Sequence, residues 1–278
     1  MNTNSIDGIH QKFHCIPGYA TSNVATPNAF VRLCPSLFFY SKVFLGPLRW
    51  LCKKARNGEC DDACWVQGSV WFANLLEELG SPLIIEGLDT LEKAPKPFVI
   101  VANHMSTLET FLLPAIVRPF SPLTFVVKKS LTTMPFFGPL MRSRDPVVVQ
   151  RTNPREDLVT VLTEGEKRLK QGISIIVFPQ STRSSTFIPQ HFNTIGEKLA
   201  KRAQVPLIPL ALKTDAWKTG KYIKEIGPFI AGLPIRFRFG QALSISGNGK
   251  SEHESICDFI AKSLAEWQTQ PLSYDASC

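Results

Sequence analysis

The chain has 278 residues, 44% of them hydrophobic and 19% charged, which suits one sizeable globular domain with an appendage and excludes two large independent domains. Lys and Arg number 31 against 23 Asp and Glu, a formal net charge of +8, so the expected partners are anionic: nucleic acid, anionic lipid or a phosphorylated substrate. Seven scattered cysteines, with only Cys60 and Cys64 close together and no histidine near them, argue against a disulfide framework and a zinc site, and read as reduced thiols.

Residues 1–29 are polar, interrupted by Pro17 and Pro27, and carry no secretory signal pattern, so they are expected to be a flexible tail. Residues 30–80 read as helical. Phe30, Phe38, Phe39, Tyr40, Phe44 and Trp50 are interleaved there with Arg32, Lys42 and Arg49. Such a segment lies well in a headgroup layer, apolar side down with its cations towards anionic lipid; taken alone, it fits an ordinary core helix with a solvated basic end equally well. Pro35 and Pro47 bound a short helix. A second amphipathic helix follows, with Trp65, Phe72, Leu75, Leu76 and Leu79 on one face and Gly80 as its stop. The two helices are expected to form an N-terminal amphipathic hairpin. No apolar run reaches the roughly 20 residues that a bilayer-crossing helix needs.

From residue 81 the pattern alternates. Strands are expected at 83–86, 98–102, 123–127, 147–149, 173–178, 207–212 and 235–239, and helices at 108–118, 154–171, 194–204 and 254–267. The run Asn153-Pro154-Arg155-Glu156 is a strong helix start. The fold class is therefore α/β, a mixed and largely parallel sheet covered by helices. This domain spans 81–270 and leaves 271–278 as a tail.

Two loops at strand ends carry the chemistry. In the first, Asn103-His104-Met105-Ser106-Thr107-Leu108-Glu109 follows a buried strand. On one continuous helix His104 and Glu109 would point about 140° apart, so they meet only if a turn separates them. Ser106 supplies it, because Ser-x-x-Glu before an apolar segment is a capping box. A carboxylate beside the imidazole makes His104 a candidate general base. The second loop, Phe178-Pro179-Gln180-Ser181-Thr182-Arg183-Ser184, ends another buried strand. Ligand sites in open α/β sheets gather at C-terminal strand ends, so His104 and Arg183 are expected at one crevice, with Lys128 and Arg151 following neighbouring strands.

These segments resemble the lysophosphatidic acid acyltransferases and related glycerolipid acyltransferases, over about residues 81–212. Four elements carry the likeness in order: Asn103 to Glu109, Gly138 to Arg151, Phe178 to Ser184, and Val205-Pro206-Leu207-Ile208-Pro209. The resemblance implies that His104 is the base and Glu109 its orienting carboxylate. It also implies that Arg183 binds the acceptor phosphate with Arg151, and that Asn103, Ser106, Thr182 and Ser184 shape the site. The chain departs from the family pattern at Glu109 (Asp in the family), Gln180 (Glu) and Ser181 (Gly). Lys128, Gln180 and Ser181 complete the expected acceptor site.

The implied reaction moves a fatty acyl group from acyl-CoA or an acyl carrier protein thioester to the free hydroxyl of a lysophospholipid. Backbone N–H groups at the helix start are candidates for the oxyanion. No metal and no other cofactor is called for. Expected partners are an anionic membrane surface, a lysophospholipid and the thioester donor, with no nucleic acid; the chain is expected on the cytoplasmic face as a peripheral or monotopic protein. Two competitors have weaker support. A hydrolase using Ser106 as nucleophile lacks the Gly-x-Ser-x-Gly elbow, and a non-catalytic lipid- or nucleic-acid-binding protein rests on charge alone.

Overall fold

The computed structural model describes residues 12–27, 29–180 and 182–269. The strands are β1 (Gly18–Ala20), β2 (Leu83–Glu86), β3 (Val99–Ala102), β4 (Leu123–Lys128), β5 (Val147–Val149), β6 (Ser174–Val177), β7 (Leu207–Lys213) and β8 (Ile235–Phe239). They form one sheet in the order β1-β2-β8-β7-β3-β6-β4-β5. From β7 to β5 all neighbours are parallel, whereas β8 is antiparallel to β7 and β1 antiparallel to β2. The sheet is thus mixed and largely parallel, as the alternating pattern predicts. Every residue of β3 and β6 is buried, which is why both read as unbroken apolar runs.

The helices are α1 (Ala29–Leu33), α2 (Pro35–Leu45), α3 (Pro47–Arg56), α4 (Asp62–Glu78), α5 (Leu88–Lys93), α6 (Leu108–Val117), α7 (Lys129–Thr133), α8 (Gly138–Arg142), α9 (Pro154–Lys170), α10 (Ile195–Ala203) and α11 (Lys250–Thr269). α9 starts as its sequence indicates, with the Asn153 side chain accepting from Arg155 N at 3.1 Å. α10 packs on β3 and α11 on β7. Gly196 permits the first contact, since a Cβ there would lie 2.3 Å from Val101 Cγ2. α4 lies along α6, where Ser69 Oγ donates to Leu112 O at 3.2 Å.

Several features differ from the sequence reading. Pro47 opens α3 instead of ending the helical segment, because a missing N–H costs nothing in a first helical turn; the region therefore holds three short helices before α4 rather than one. Residues 18–20, placed in the polar tail, form edge strand β1. Its anchors are mostly polar: Tyr19 and Thr21 hydroxyls both donate to Glu77 Oε1 at 2.7 Å, and hydropathy is blind to such anchors. The tail's first 11 residues and residues 271–278 lie outside the described residues. Cys34, Cys52, Cys60, Cys64 and Cys257 are free, but Cys15 is disulfide-bonded, against the expectation of seven reduced thiols; cysteine spacing alone carries no pairing information.

α10 and α11 are joined by His253 Nδ1 and Glu197 Oε1 at 2.6 Å. Glu197 is 2% exposed and its Oε2 has no partner, so its burial depends on the histidine. His253→Ala is expected to cost about 3 kcal/mol by leaving that carboxylate buried and unpaired. Urea unfolding should show the loss, and His253→Gln, which still donates, should recover most of it.

Candidate active site

β3 has β6 on one side and β7 on the other, with Val101 paired to Val177 and Ala102 to Leu210. All three run the same way, so the residues after them emerge together at one edge of the sheet. Asn103 extends the ladder: its Nδ2 donates to Leu212 O and its Oδ1 accepts from Leu212 N, both at 2.9 Å. The next residue, His104, is held by its own backbone. Its N–H donates to Gln180 Oε1 at 2.6 Å and its carbonyl accepts from Ser184 N at 2.9 Å. The ring stacks on Phe178 with centroids 4.3 Å apart.

The turn expected between His104 and α6 is present. His104 Nδ1 lies 2.5 Å from Glu109 Oε2. Glu109 Oε1 accepts from Met105 N at 2.8 Å, Ser106 N at 2.7 Å and Thr214 Oγ1 at 2.6 Å. Ser106 Oγ donates to Thr214 Oγ1 and accepts from Leu108 N, each at 3.0 Å. Half of the expected capping box is therefore formed, Glu109 reaching back to Ser106 N, while the serine hydroxyl caps Leu108 rather than Glu109. Glu109 is fully buried, and a buried carboxylate surrounded by donors fixes the imidazole with its proton on Nδ1. Nε2 is left with a free lone pair, the atom a general base uses.

His104 and Arg183 line the same cavity, of about 390 Å³. Its walls are mostly apolar, including Leu48, Phe111, Phe125, Phe137 and Met141. Arg183 donates through Nη1 to Thr107 Oγ1 and pairs through Nη2 with Glu225 Oε1 at 2.7 Å. A hydrocarbon slot carrying the His104 imidazole, the Arg144 and Arg183 guanidiniums and the Glu225 carboxylate is suited to an acyl chain attached to a polar, anionic reactant.

The other expected site residues fall elsewhere. Asn103 and Ser106 are buried and spend their side chains on backbone and Thr214; they shape the site from beneath, because groups so placed must be satisfied inside the protein. Gln180 is buried and holds the His104 N–H, a place where a neutral amide avoids the desolvation cost of a carboxylate. Ser184 bonds to Thr186, and Thr182 is exposed. Lys128 is exposed at the end of β4, and Arg151 at φ 62° follows β5, three strands along from β3; neither lines the cavity. Ser181 lies outside the described residues. The N–H groups of Met105, Ser106 and Leu108 are bonded internally, which leaves later N–H groups of the helix start as the candidates for the oxyanion. Sequence reasoning missed Thr107, Thr214 and Glu225. Thr214 had a signal, since it directly follows β7, the strand beside β3; Glu225 had none.

Residues 83–213 match a family model described as Acyltransferase. The chain is 29% identical over 185 residues to the 1-acyl-sn-glycerol-3-phosphate acyltransferase of Pseudomonas aeruginosa, covering 66% of this chain and 67% of that protein. It is 30% identical over 159 residues to the protein of the same name in Saccharomyces cerevisiae, covering 55% and 50%. The matches span about half to two thirds of these relatives' lengths. In fold it is similar to the crystal structure of the 1-acyl-sn-glycerophosphate (LPA) acyltransferase PlsC from Thermotoga maritima, with a TM-score of 0.64 at 18% identity over 88% of this chain and 99% of that one.

Proposed function

We propose that this chain, whose residues 83–213 match the Acyltransferase family model, transfers a fatty acyl group from an acyl thioester to the free hydroxyl of a lysophospholipid, with 1-acylglycerol-3-phosphate the favoured acceptor. The contact between His104 Nδ1 and Glu109 at 2.5 Å, at the wall of an apolar cavity that also holds Arg183, carries this reading. His104 Nε2 takes the hydroxyl proton as the oxygen attacks the thioester carbonyl. The tetrahedral intermediate collapses by breaking the C–S bond, and the imidazolium returns its proton to the departing thiolate. Glu109 stabilises the imidazolium in between. Arg183 binds the acceptor phosphate and turns binding into orientation. The relatives' names support the acceptor; either acyl-CoA or an acyl carrier protein serves as donor.

The bilayer contact belongs to the same proposal. Phe30, Leu33, Leu37 and Leu45 are 68–80% exposed on α1 and α2, and Arg32 and Lys42 stand beside them. Among the described residues no helix is long and apolar enough to cross a membrane; α1 and the exposed side of α2 are proposed to lie in the headgroup layer of the cytoplasmic face, whereas the apolar face of α4 is buried in the protein. Hydrolysis through Ser106 is disfavoured, because its hydroxyl is buried and bonded to Thr214 and Leu108.

Incubation with a panel of lysolipids and both thioester types, followed by product analysis, tests the reading. Lysophosphatidate should be acylated in preference to neutral lysolipids, and thioester consumed equally without acceptor would refute it. The cavity makes a second prediction. Met141→Trp should obstruct the apolar wall and cut turnover of the longest accepted chain about tenfold, as overpacking costs roughly 1–3 kcal/mol, with shorter thioesters less affected. Turnover measured against chain length reads this directly.

A further inference from the structure

The segment between β7 and β8 plays no part in the chemistry above, yet it reaches the cavity. Its base is a hairpin closed by the Trp217–Phe229 bridge and by Lys218 N donating to Pro228 O at 2.9 Å. That base is fastened to α2. Phe229 stacks on Phe39 with centroids 4.2 Å apart, Tyr40 Oη donates to Gly227 O at 2.6 Å, and Trp217 Nε1 donates to Tyr40 Oη at 2.8 Å. The tip is different. Tyr222 is 89% exposed, and Ile223 and Ile226 are exposed as well. Lys218, Lys221 and Lys224 surround them, all exposed.

Glu225 is the single acid of this tip, and its carboxylate is spent on Arg183. Ile223, Glu225 and Ile226 line the cavity together with Tyr40 and Phe44 of α2. The arginine that the proposed function assigns to the acceptor phosphate is therefore occupied by an internal anion. Side-chain exposure of 16% at Arg183 and 44% at Glu225 leaves the carboxylate side of the pair open to water, so that it can be exchanged for a better anion.

We infer that the hairpin 216–230 is a lipid-docking lid: its apolar, lysine-bearing tip enters an anionic bilayer surface, and that engagement draws Glu225 off Arg183 and opens the cavity to the acceptor. The inference rests on the proposed function for the role of Arg183. Charge complementarity selects the partner. Three lysines with exposed tyrosine and isoleucine side chains match an anionic headgroup layer over hydrocarbon, and the hairpin's base is anchored to the helix whose own exposed Leu37 and Leu45 face the same need. A cavity that takes its acyl-bearing substrates from a bilayer benefits from opening only there. It would otherwise present an apolar interior to water.

The test uses the full chain, phosphatidylcholine vesicles with or without phosphatidylglycerol, and a water-dispersed short-chain lysophosphatidate. Two variants are compared with the wild type: the triple change Lys221→Ser/Tyr222→Ser/Lys224→Ser, and Glu225→Gln. The triple variant should lose roughly tenfold or more in sedimentation with anionic vesicles and lose their stimulation of transfer, while keeping the vesicle-free rate. Glu225→Gln should raise the vesicle-free rate towards the stimulated wild-type level and flatten the response to vesicles. Sedimentation of the triple variant like the wild type overturns the docking surface; a Glu225→Gln rate that stays low without vesicles and is fully stimulated by them overturns the latch. A wild type that acylates no lysolipid refutes the proposed function instead. In that case sedimentation still decides the docking surface, and amide exchange across 218–227, expected to change with anionic vesicles and with Glu225→Gln alike, decides the opening.

Discussion

Glu109→Gln is expected to lower turnover by about 10³- to 10⁴-fold while leaving the protein folded. The glutamine oxygen still accepts from the N–H groups of Met105 and Ser106 and from Thr214, the three bonds that Oε1 makes now. What changes is the atom facing His104 Nδ1. An amide NH₂ there donates instead of accepting, so the ring is driven to carry its proton on Nε2, and the lone pair that removes the acceptor's proton disappears. The equivalent amide substitution beneath the histidine of a serine protease costs about 10⁴ in turnover. Circular dichroism and urea midpoints should stay close to wild type. Glu109→Ala is the less informative variant, since it strands buried donors at roughly 1–3 kcal/mol each and confounds catalysis with stability. Unchanged turnover in Glu109→Gln would reduce the carboxylate to a helix cap and remove His104 as the base.

The second large effect is expected at Arg183. Arg183→Gln should reduce kcat/KM for lysophosphatidate by about 10²- to 10³-fold, corresponding to the roughly 3–4 kcal/mol of a charge-assisted, two-pronged contact with phosphate. The loss should appear mainly as a raised KM for the acceptor, with the KM for the thioester little altered. Its present partners tolerate the change, since Glu225 is 44% exposed and regains water. An equal loss towards a lysolipid lacking phosphate would show that Arg183 braces Thr107 and the loop rather than gripping the substrate.

The sequence made the His104–Glu109 pair legible because both members lie in one short segment, where the five-residue offset and the capping pattern dictate a turn. The parallel sheet was legible for a related reason: strands buried on both faces must be continuous apolar runs. What escaped were contacts made across the sheet. Thr214 reaches Glu109 from 105 positions away, and Glu225 reaches Arg183 from a hairpin whose composition resembles any exposed turn. Short helices α5, α7 and α8 escaped too, since five or six residues carry less than two turns of periodicity. Arg151 is the converse case. Motif order places it with the phosphate ligand, but strand order puts β5 three positions from β3, roughly 14 Å at the usual strand spacing.

Both polar atoms of the His104 peptide are tied to the segment that also bears Arg183, through Gln180 Oε1 on one side and Ser184 N on the other. Base and guanidinium consequently ride on a common brace, and the gap between them is a property of the main chain instead of two independent side-chain swings. For an acceptor pinned by its phosphate, such a brace works as a caliper. Under the proposed function, only an alcohol at the matching number of bonds from phosphorus would come under the imidazole, so positional choice among the carbons of a glycerol backbone would be set by loop hydrogen bonds that never touch the lipid.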